Sequence, residues 1–253
     1  MDFMRTKMEV MPSSGFAYDL VNSVSRGEIV PAMFQRPYVW SRDDVLALFR
    51  SIMMGVSIGS FLIWEPDSDM DSNGLGRDRL GPILRNRSEG YRRPTGILLD
   101  GQNRLASIAW ARHMGPIADE VLADLSDHER SVWCAGEVLV LDHATKSICF
   151  VPESEVDSGL RLPMSVVIGQ VFKVLHKAAD HWERKLNISS EKVDEMIKLY
   201  EHCGRRFMNA RAADMTIRNA TVEEAREAFV NICRVGVPMS QHDFDKALQW
   251  KAP

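Results

Sequence analysis

The sequence predicts an α+β fold in which strands and helices alternate through residues 1–160 and the chain turns mainly helical over 161–253. Three observations carry this reading. Two apolar runs of strand length, "SIGSFLIWE" and "TGILLD", are each adjacent to a segment with helical periodicity. "EVLVLDHATKSICFVP" sets two β-rich runs around a polar turn, as a hairpin does. From about residue 162 onward, "SVVIGQVFKVLHKAADHWERKL" and "SSEKVDEMIKLYEHCGRRFMN" carry apolar residues at helical spacing.

Each element has a local reason. "FAYDLVNSVSRGEIV" reads as a short helix and a turn. "SRDDVLALFRSIMMG" is a helix with Ser41 as N-cap, Asp44 completing a capping box, and Gly55 placed to end it. Val45, Leu46, Phe49, Ile52 and Met53 form its apolar face. "SIGSFLIWE" is a buried strand, and "TGILLD" a second one that feeds the helix "RLASIAWARHMG". In that helix Leu105, Ile108, Ala109 and Arg112 share a face, and Gly115-Pro116 stops it. A short strand near "DMTIR" precedes the helix "TVEEAREAFVNIC", whose Thr221 and Glu224 form another capping box.

Between the two apolar strands, residues 66–95 are rich in Gly, Pro, Asp, Ser and Arg. The segment opens acidic (Asp67, Asp69, Asp71) and ends basic (Arg77, Arg79, Arg85, Arg87, Arg92, Arg93). It reads as a mobile excursion from one domain rather than a linker, with both flanking strands in one sheet. Two uses are open: a solvated loop whose charges cancel, or a DNA-facing arm. In the second, Arg77, Arg79, Arg85, Arg87, Arg92 and Arg93 contact phosphates, Arg85, Arg87, Arg92 and Arg93 foremost, Tyr91 stacks on a base, and the excursion, one strand before Asp100, could also cover a bound ligand. The domain reading is therefore a core over 1–160 with this excursion, and a mainly helical part over 161–253 packing on it.

The bulk composition excludes several classes. The 253 residues are 45% hydrophobic and 26% charged, ordinary for a globular chain, and the net charge of −4 gives no global basic field. Nucleic-acid binding would have to use a local patch. No apolar run is long enough for a membrane span, and the N-terminus lacks the apolar core of a signal peptide. The four cysteines are far apart with no C-x-x-C pair, so no metal site is expected and a reduced, cytoplasmic protein is.

The chemistry concentrates at "LLDGQNRLAS", residues 98–107. The start of a helix leaves backbone N–H groups without partners, and the dipole makes that end positive. Gly101 would let a ligand approach the backbone, Arg104 adds a forked cation, and Gln102 and Asn103 add neutral donors and acceptors. Asp100 can cap the helix, orient the arginine, or face a metal or water. The turn is a phosphate-type anion site or an ordinary helix start. A second stretch, "VPAMFQRPYVWS", holds Gln35 and Arg36 before Pro37 among Phe34, Tyr38 and Trp40, so that Arg36 is biased to extended geometry.

Together, "FQRPYVWS", "IGSFLIWE" and "LLDGQNR" resemble the N-terminal domain of GmrSD-type restriction systems. That family reads D-G-Q-Q-R where this chain has Asn103. Near the C-terminus, "AFVNICRVGVPMSQHDFDKAL" resembles the family's F-x-R-I-N-x-G-G-x-x-L-S segment through Phe229, Ile232, Gly236, Pro238 and Ser240. It departs from it at Asn231, Cys233 and Val235, which bears on hydrolysis. The resemblance implies a ParB- and sulfiredoxin-like small mixed sheet that binds a nucleoside triphosphate (ATP, GTP or CTP), with or without magnesium. Gln35, Arg36, Gly101, Gln102, Asn103 and Arg104 would then bind the nucleotide, with Arg36 and Arg104 converging on phosphate. Asp100 and Arg104 would be catalytic. It also implies a role in anti-phage restriction with DNA and a separate nuclease or modification enzyme, and a homo-oligomer is compatible with it. The other readings are a non-catalytic module that binds DNA or modified DNA, and an accessory of DNA modification. With no HNH constellation in the sequence, DNA cleavage by this chain alone is not expected.

Overall fold

A computed structural model describes residues 7–67, 74–85, 93–156, 161–169, 179–184 and 186–234. The predicted α+β class holds. Among the described residues, ten strands form one mixed five-stranded sheet, a three-stranded antiparallel sheet and a two-stranded ribbon, with helices between them.

The main sheet takes β1 (Glu9–Phe16), β2 (Ile29–Pro31), β3 (Ser60–Trp64), β6 (Gly96–Asp100) and β10 (Arg211–Arg218) in the order β1-β10-β3-β6-β2. β1 is antiparallel to β10, β10 parallel to β3, β3 antiparallel to β6, and β2 parallel to β6. The main sheet thus draws strands from both sides of residue 160, and the short strand expected at "DMTIR" is eight residues long. β3 and β6 are covered on both faces, which is why they read as continuous apolar runs. Alternate side chains divide between two cores: Phe61, Ile63 and Leu98 join one, and Leu62, Trp64, Ile97 and Leu99 join the other.

The predicted caps form. Helix α1 (Ala17–Ser25) precedes β2. In α2 (Arg42–Met54), Ser41 and Asp44 make the full capping box and Gly55 ends the helix at φ 75°. Its buried face is Val45, Leu48, Phe49 and Ile52, whereas Leu46 and Met53 lie at the flank, half-buried. Helix α3 (Gln102–Arg112) is buried from Leu105 through Ala111, because the sheet, α1, α2 and later helices surround it. Arg112 closes one side of it, donating to Asn22 Oδ1 (2.7 Å) and the Tyr18 hydroxyl (3.1 Å).

The excursion over 66–95 is folded where it is described. β4 (Arg79–Leu80) and β5 (Ile83–Leu84) form a ribbon, and Leu80 is buried in the core. The mobile loop expected there is corrected for residues 74–85. Those residues pack because Arg77, Arg79 and Leu80 find partners elsewhere in the chain, and composition alone does not reveal such partners. Helices α4 (Asp119–Asp124) and α5 (Asp127–Trp133) follow α3. The predicted hairpin is β7 (Glu137–Asp142) with β8 (Ser147–Pro152), extended by β9 (Arg161–Pro163). Helix α6 (Met164–Gly169), helical residues 179–184, α7 (Ser190–Met208) and α8 (Val222–Arg234) supply the helical final third. Thr221 and Glu224 cap α8 as a box.

At the hairpin, Asp142 is 7% exposed and accepts from Arg161 Nε (2.9 Å) and from the Ala144 and Thr145 amides. Burial alone would raise its pKa, but Arg161 and the two amides outweigh it and hold the carboxyl below its ordinary value of 3.8. A depressed folded pKa makes the contribution to stability complete above the unfolded value and lost as pH falls through the folded one. Asp142→Asn should therefore lower the urea midpoint at neutral pH, and the deficit should shrink as the pH falls below about 4. A deficit independent of pH would show that the charge is not what stabilises this corner.

Candidate functional site

The two motifs singled out in the sequence meet. The Gln35 side chain crosses to β6 and donates from Nε2 to the Leu98 carbonyl at 2.7 Å. The Val39 amide donates to Asn103 Oδ1 at 3.1 Å, joining residues 64 apart in sequence. The Tyr38 and Ser107 hydroxyls lie 2.7 Å apart, and Ser107 Oγ donates to the Asn103 carbonyl at 2.8 Å. Ser107 has one proton and gives it to that carbonyl, so Tyr38 donates to Ser107. Burial pushes the Tyr38 phenol up to about 12, which keeps that proton in place. These three ties lay the aromatic segment along the start of α3.

Between them is an open cavity of about 580 Å³, lined by Phe34, Gln35, Arg36, Leu99, Asp100, Gln102, Asn103 and Phe229. Its size falls in the range of small-molecule sites. Four of the expected nucleotide-binding residues and the catalytic candidate Asp100 are thus brought together. Arg36 is exposed, and among the described residues its guanidinium has no hydrogen-bond or ion-pair partner. α3 opens at Gly101 with no side-chain cap, so its first-turn N–H groups keep their donors available. The pairing of β3 with β6 shifts register between Leu62 and Ile63, opposite Asp100 and Leu98, which leaves Leu99 as an extra residue just before the turn. Such bulges re-aim side chains next to functional sites.

The geometry corrects one sequence expectation, that for Arg104, and adds a packing role for Gly101. Gly101 has φ 96°, as the turn demands, and the direction a Cβ would take is filled by Phe61, so packing as well as backbone requires glycine here. A Cβ there would lie 2.7 Å from Phe61 Cε1 and closer still to Cδ1. Arg104 does not converge with Arg36. Its guanidinium donates to the Ile58 carbonyl (3.2 Å) and to Asp100 Oδ2 (3.3 Å), and it lies over the Phe61 ring. It lines a separate cavity of about 280 Å³ with Trp40, Ser51, Ser57 and Ile58. Asp100 consequently orients the arginine and does not cap the helix; its own side chain remains 42% exposed at the main cavity.

Sequence reasoning misses Leu99 and Gly59 and gives Phe229 a place in the third motif but none in the site, because their roles depend on distant packing. Phe229 of α8 reaches the cavity mouth and meets Phe34 with ring centroids 5.5 Å apart. Leu99 enters through the bulge. Gly59 suits its place because its φ of 92° is left-handed, and a Cβ there would also push against the Arg104 guanidinium. The expected DNA arm is partly engaged inside the molecule. Arg77 donates to the Met33 and Gln35 carbonyls, Arg93 to the Asp67 carbonyl (2.8 Å), and the Arg85 side chain lies against Gly27. Arg87, Arg92 and Tyr91 lie outside the described residues, as do Val235, Gly236, Pro238 and Ser240 and the side chains of Ile232 and Cys233. Among the described residues no cluster of His, Cys, Asp or Glu could hold a metal ion by itself, and no helix is long and apolar enough to cross a membrane.

Comparison with known proteins agrees with the motif geometry. An uncharacterized protein of Methanocaldococcus jannaschii is 33% identical over 108 residues, 41% of this chain but 18% of that protein. The family model described as "GmrSD restriction endonuclease, N-terminal domain" matches residues 17–248. With that match over most of its length, the chain belongs to the GmrSD N-terminal domain family of DNA restriction systems.

Proposed function

We propose that this chain is the nucleotide-binding and nucleotide-hydrolysing component of a DNA restriction system, acting with a separate nuclease. The observation that carries the reading is the cavity where an unengaged Arg36 faces an uncapped helix start beside Asp100. The triphosphate rests against the first-turn N–H groups of α3, where the helix dipole favours an anion, and Arg36 supplies a fork for phosphate oxygens. Asp100 is the carboxylate lining the cavity, and Arg104 holds it in place from outside. It orients the attacking water and accepts its proton. A magnesium ion travelling with the triphosphate would be held by Asp100 and phosphate oxygens, the usual way a single carboxylate serves that ion, and would neutralise phosphate charge. DNA acts as the signal that couples hydrolysis to the nuclease.

Phosphate release from each nucleoside triphosphate, with and without DNA, tests the activity directly. Arg36→Ala should weaken nucleotide binding by about tenfold or more, the size of a lost charge-assisted hydrogen bond of roughly 1.5–3 kcal/mol, while the fold is kept. Unchanged affinity in the folded variant would remove phosphate from this cavity. Asp100→Asn should retain binding and lose about a hundredfold in turnover. If turnover persists at the wild-type rate, hydrolysis belongs to another residue or does not occur here.

A further inference from the structure

The cavity has two chemically different sides, and the difference bears on which part of a nucleotide goes where; this inference rests on the nucleotide reading above. Gln35 is 7% exposed, and its amide cannot be turned round. Nε2 donates to the Leu98 carbonyl at 2.7 Å, and a carbonyl oxygen only accepts. Oε1 is therefore fixed as the acceptor, and it is buried with no partner among the described residues. Gln102 Oε1, at the opening of α3, is also buried and unpartnered among them, but none of them accepts from its Nε2, so its amide is free to turn over and present N–H to a phosphate. Arg36, the next residue along, is the opposite case: a set of donors with nothing among the described residues to receive them.

Phosphate oxygens are acceptors throughout. A phosphate set against Gln35 would oppose acceptor to acceptor and leave a desolvated oxygen unsatisfied. The Gln35 side asks for an N–H or O–H group, and the Phe34 and Phe229 rings beside it offer apolar surface to a flat base. We propose that the Gln35 side of the cavity reads a hydrogen-bond donor on the nucleoside part of a nucleoside triphosphate, while the phosphates lie toward Arg36 and the start of α3. This narrows the role of Gln35 from nucleotide binding in general, which the motif implies, to recognition of the nucleoside part. The donor has two sources, an N–H of the base or a hydroxyl of the ribose. In either case, sites built to pair a ligand donor reject analogues that lack it.

Calorimetric titration of the wild-type chain tests this without depending on a variant. The ligands are the four ribonucleoside triphosphates, inorganic triphosphate, purine riboside and pyrimidin-2-one riboside triphosphates (whose bases carry no N–H), and 2′,3′-dideoxynucleoside triphosphates. The best natural nucleotide should bind at least about tenfold more tightly than inorganic triphosphate. One analogue class should lose a similar factor: the donor-free bases if the base is read, the dideoxy sugars if the ribose is. Gln35→Leu, checked for native circular dichroism, should erase that discrimination while inorganic triphosphate binds as before. Equal affinity for nucleotide and inorganic triphosphate, with dependence on Arg36 retained, would overturn the inference and leave the phosphate site standing. Equal affinity for natural nucleotides and both analogue classes would overturn it too. Binding of none of these ligands would overturn the nucleotide reading itself.

Discussion

Arg79→Ala is expected to cost about 3–5 kcal/mol of folding stability, the scale of a buried ion pair that loses one partner. Arg79 approaches Glu129 as a fork, with Nη1 and Nη2 each 3.0 Å from its carboxylate oxygens. Glu129 has a side chain only 3% exposed, and it also accepts from Trp110 Nε1 at 2.9 Å. The same arginine donates to Asp124 Oδ2 (2.7 Å) and to the Gly81 carbonyl (2.8 Å). Truncation leaves a nearly buried carboxylate with Trp110 Nε1 as the one remaining donor to its side chain among the described residues. Urea unfolding followed by circular dichroism measures the loss. Glu129→Leu in the Arg79→Ala background should recover part of it, because the stranded charge goes. A single variant within about 1 kcal/mol of wild type would mean that water reaches Glu129 after all.

Gly101→Ala should be nearly as damaging, at about 3 kcal/mol. A left-handed backbone costs a non-glycine residue roughly 1–2 kcal/mol, and overpacking a filled site adds about 1–3 kcal/mol. Both penalties apply here, since φ is 96° and the added methyl would meet the Phe61 ring. Relief could come only by moving Phe61, which also lies under Arg104, or by shifting the start of α3. The second route would displace Gln102 and Asn103, so nucleotide affinity should fall along with the urea midpoint. Wild-type stability in Gly101→Ala would show that the turn relaxes at no cost.

The elements that sequence made plain are those determined locally. The Ser41–Asp44 box needs only four residues, and the double-sided burial of β3 and β6 shows as unbroken apolar runs. Gln35, Arg36, Asp100, Gln102 and Asn103 were legible as a group because two short motifs contain them all. The side-chain directions were not. Arg104 turns away from Arg36 because the Ile58 carbonyl and the open space over Gly59 are there to receive it, and both lie far upstream. Arg79 looked like a solvated cation in a Gly- and Arg-rich stretch, while "SDHERSVW" gave no hint that Glu129 is buried. Phe229 reaches the cavity only through the packing of α8 on the sheet.

The position of β10 sets a timetable for synthesis. It lies between β1 and β3, pairing with both, yet it is made after every other strand in the sheet. While the chain is growing, β1 has no neighbour to pair with and β3 has one bare flank, so the nascent protein carries unpaired strand edges until residue 218 has left the ribosome. The wall that holds Asp100 and Leu98 is therefore finished late, by a segment distant from both. A ribosome-bound chain halted before β10 should be held by chaperones and sensitive to protease, and release of a few dozen more residues should end both conditions together.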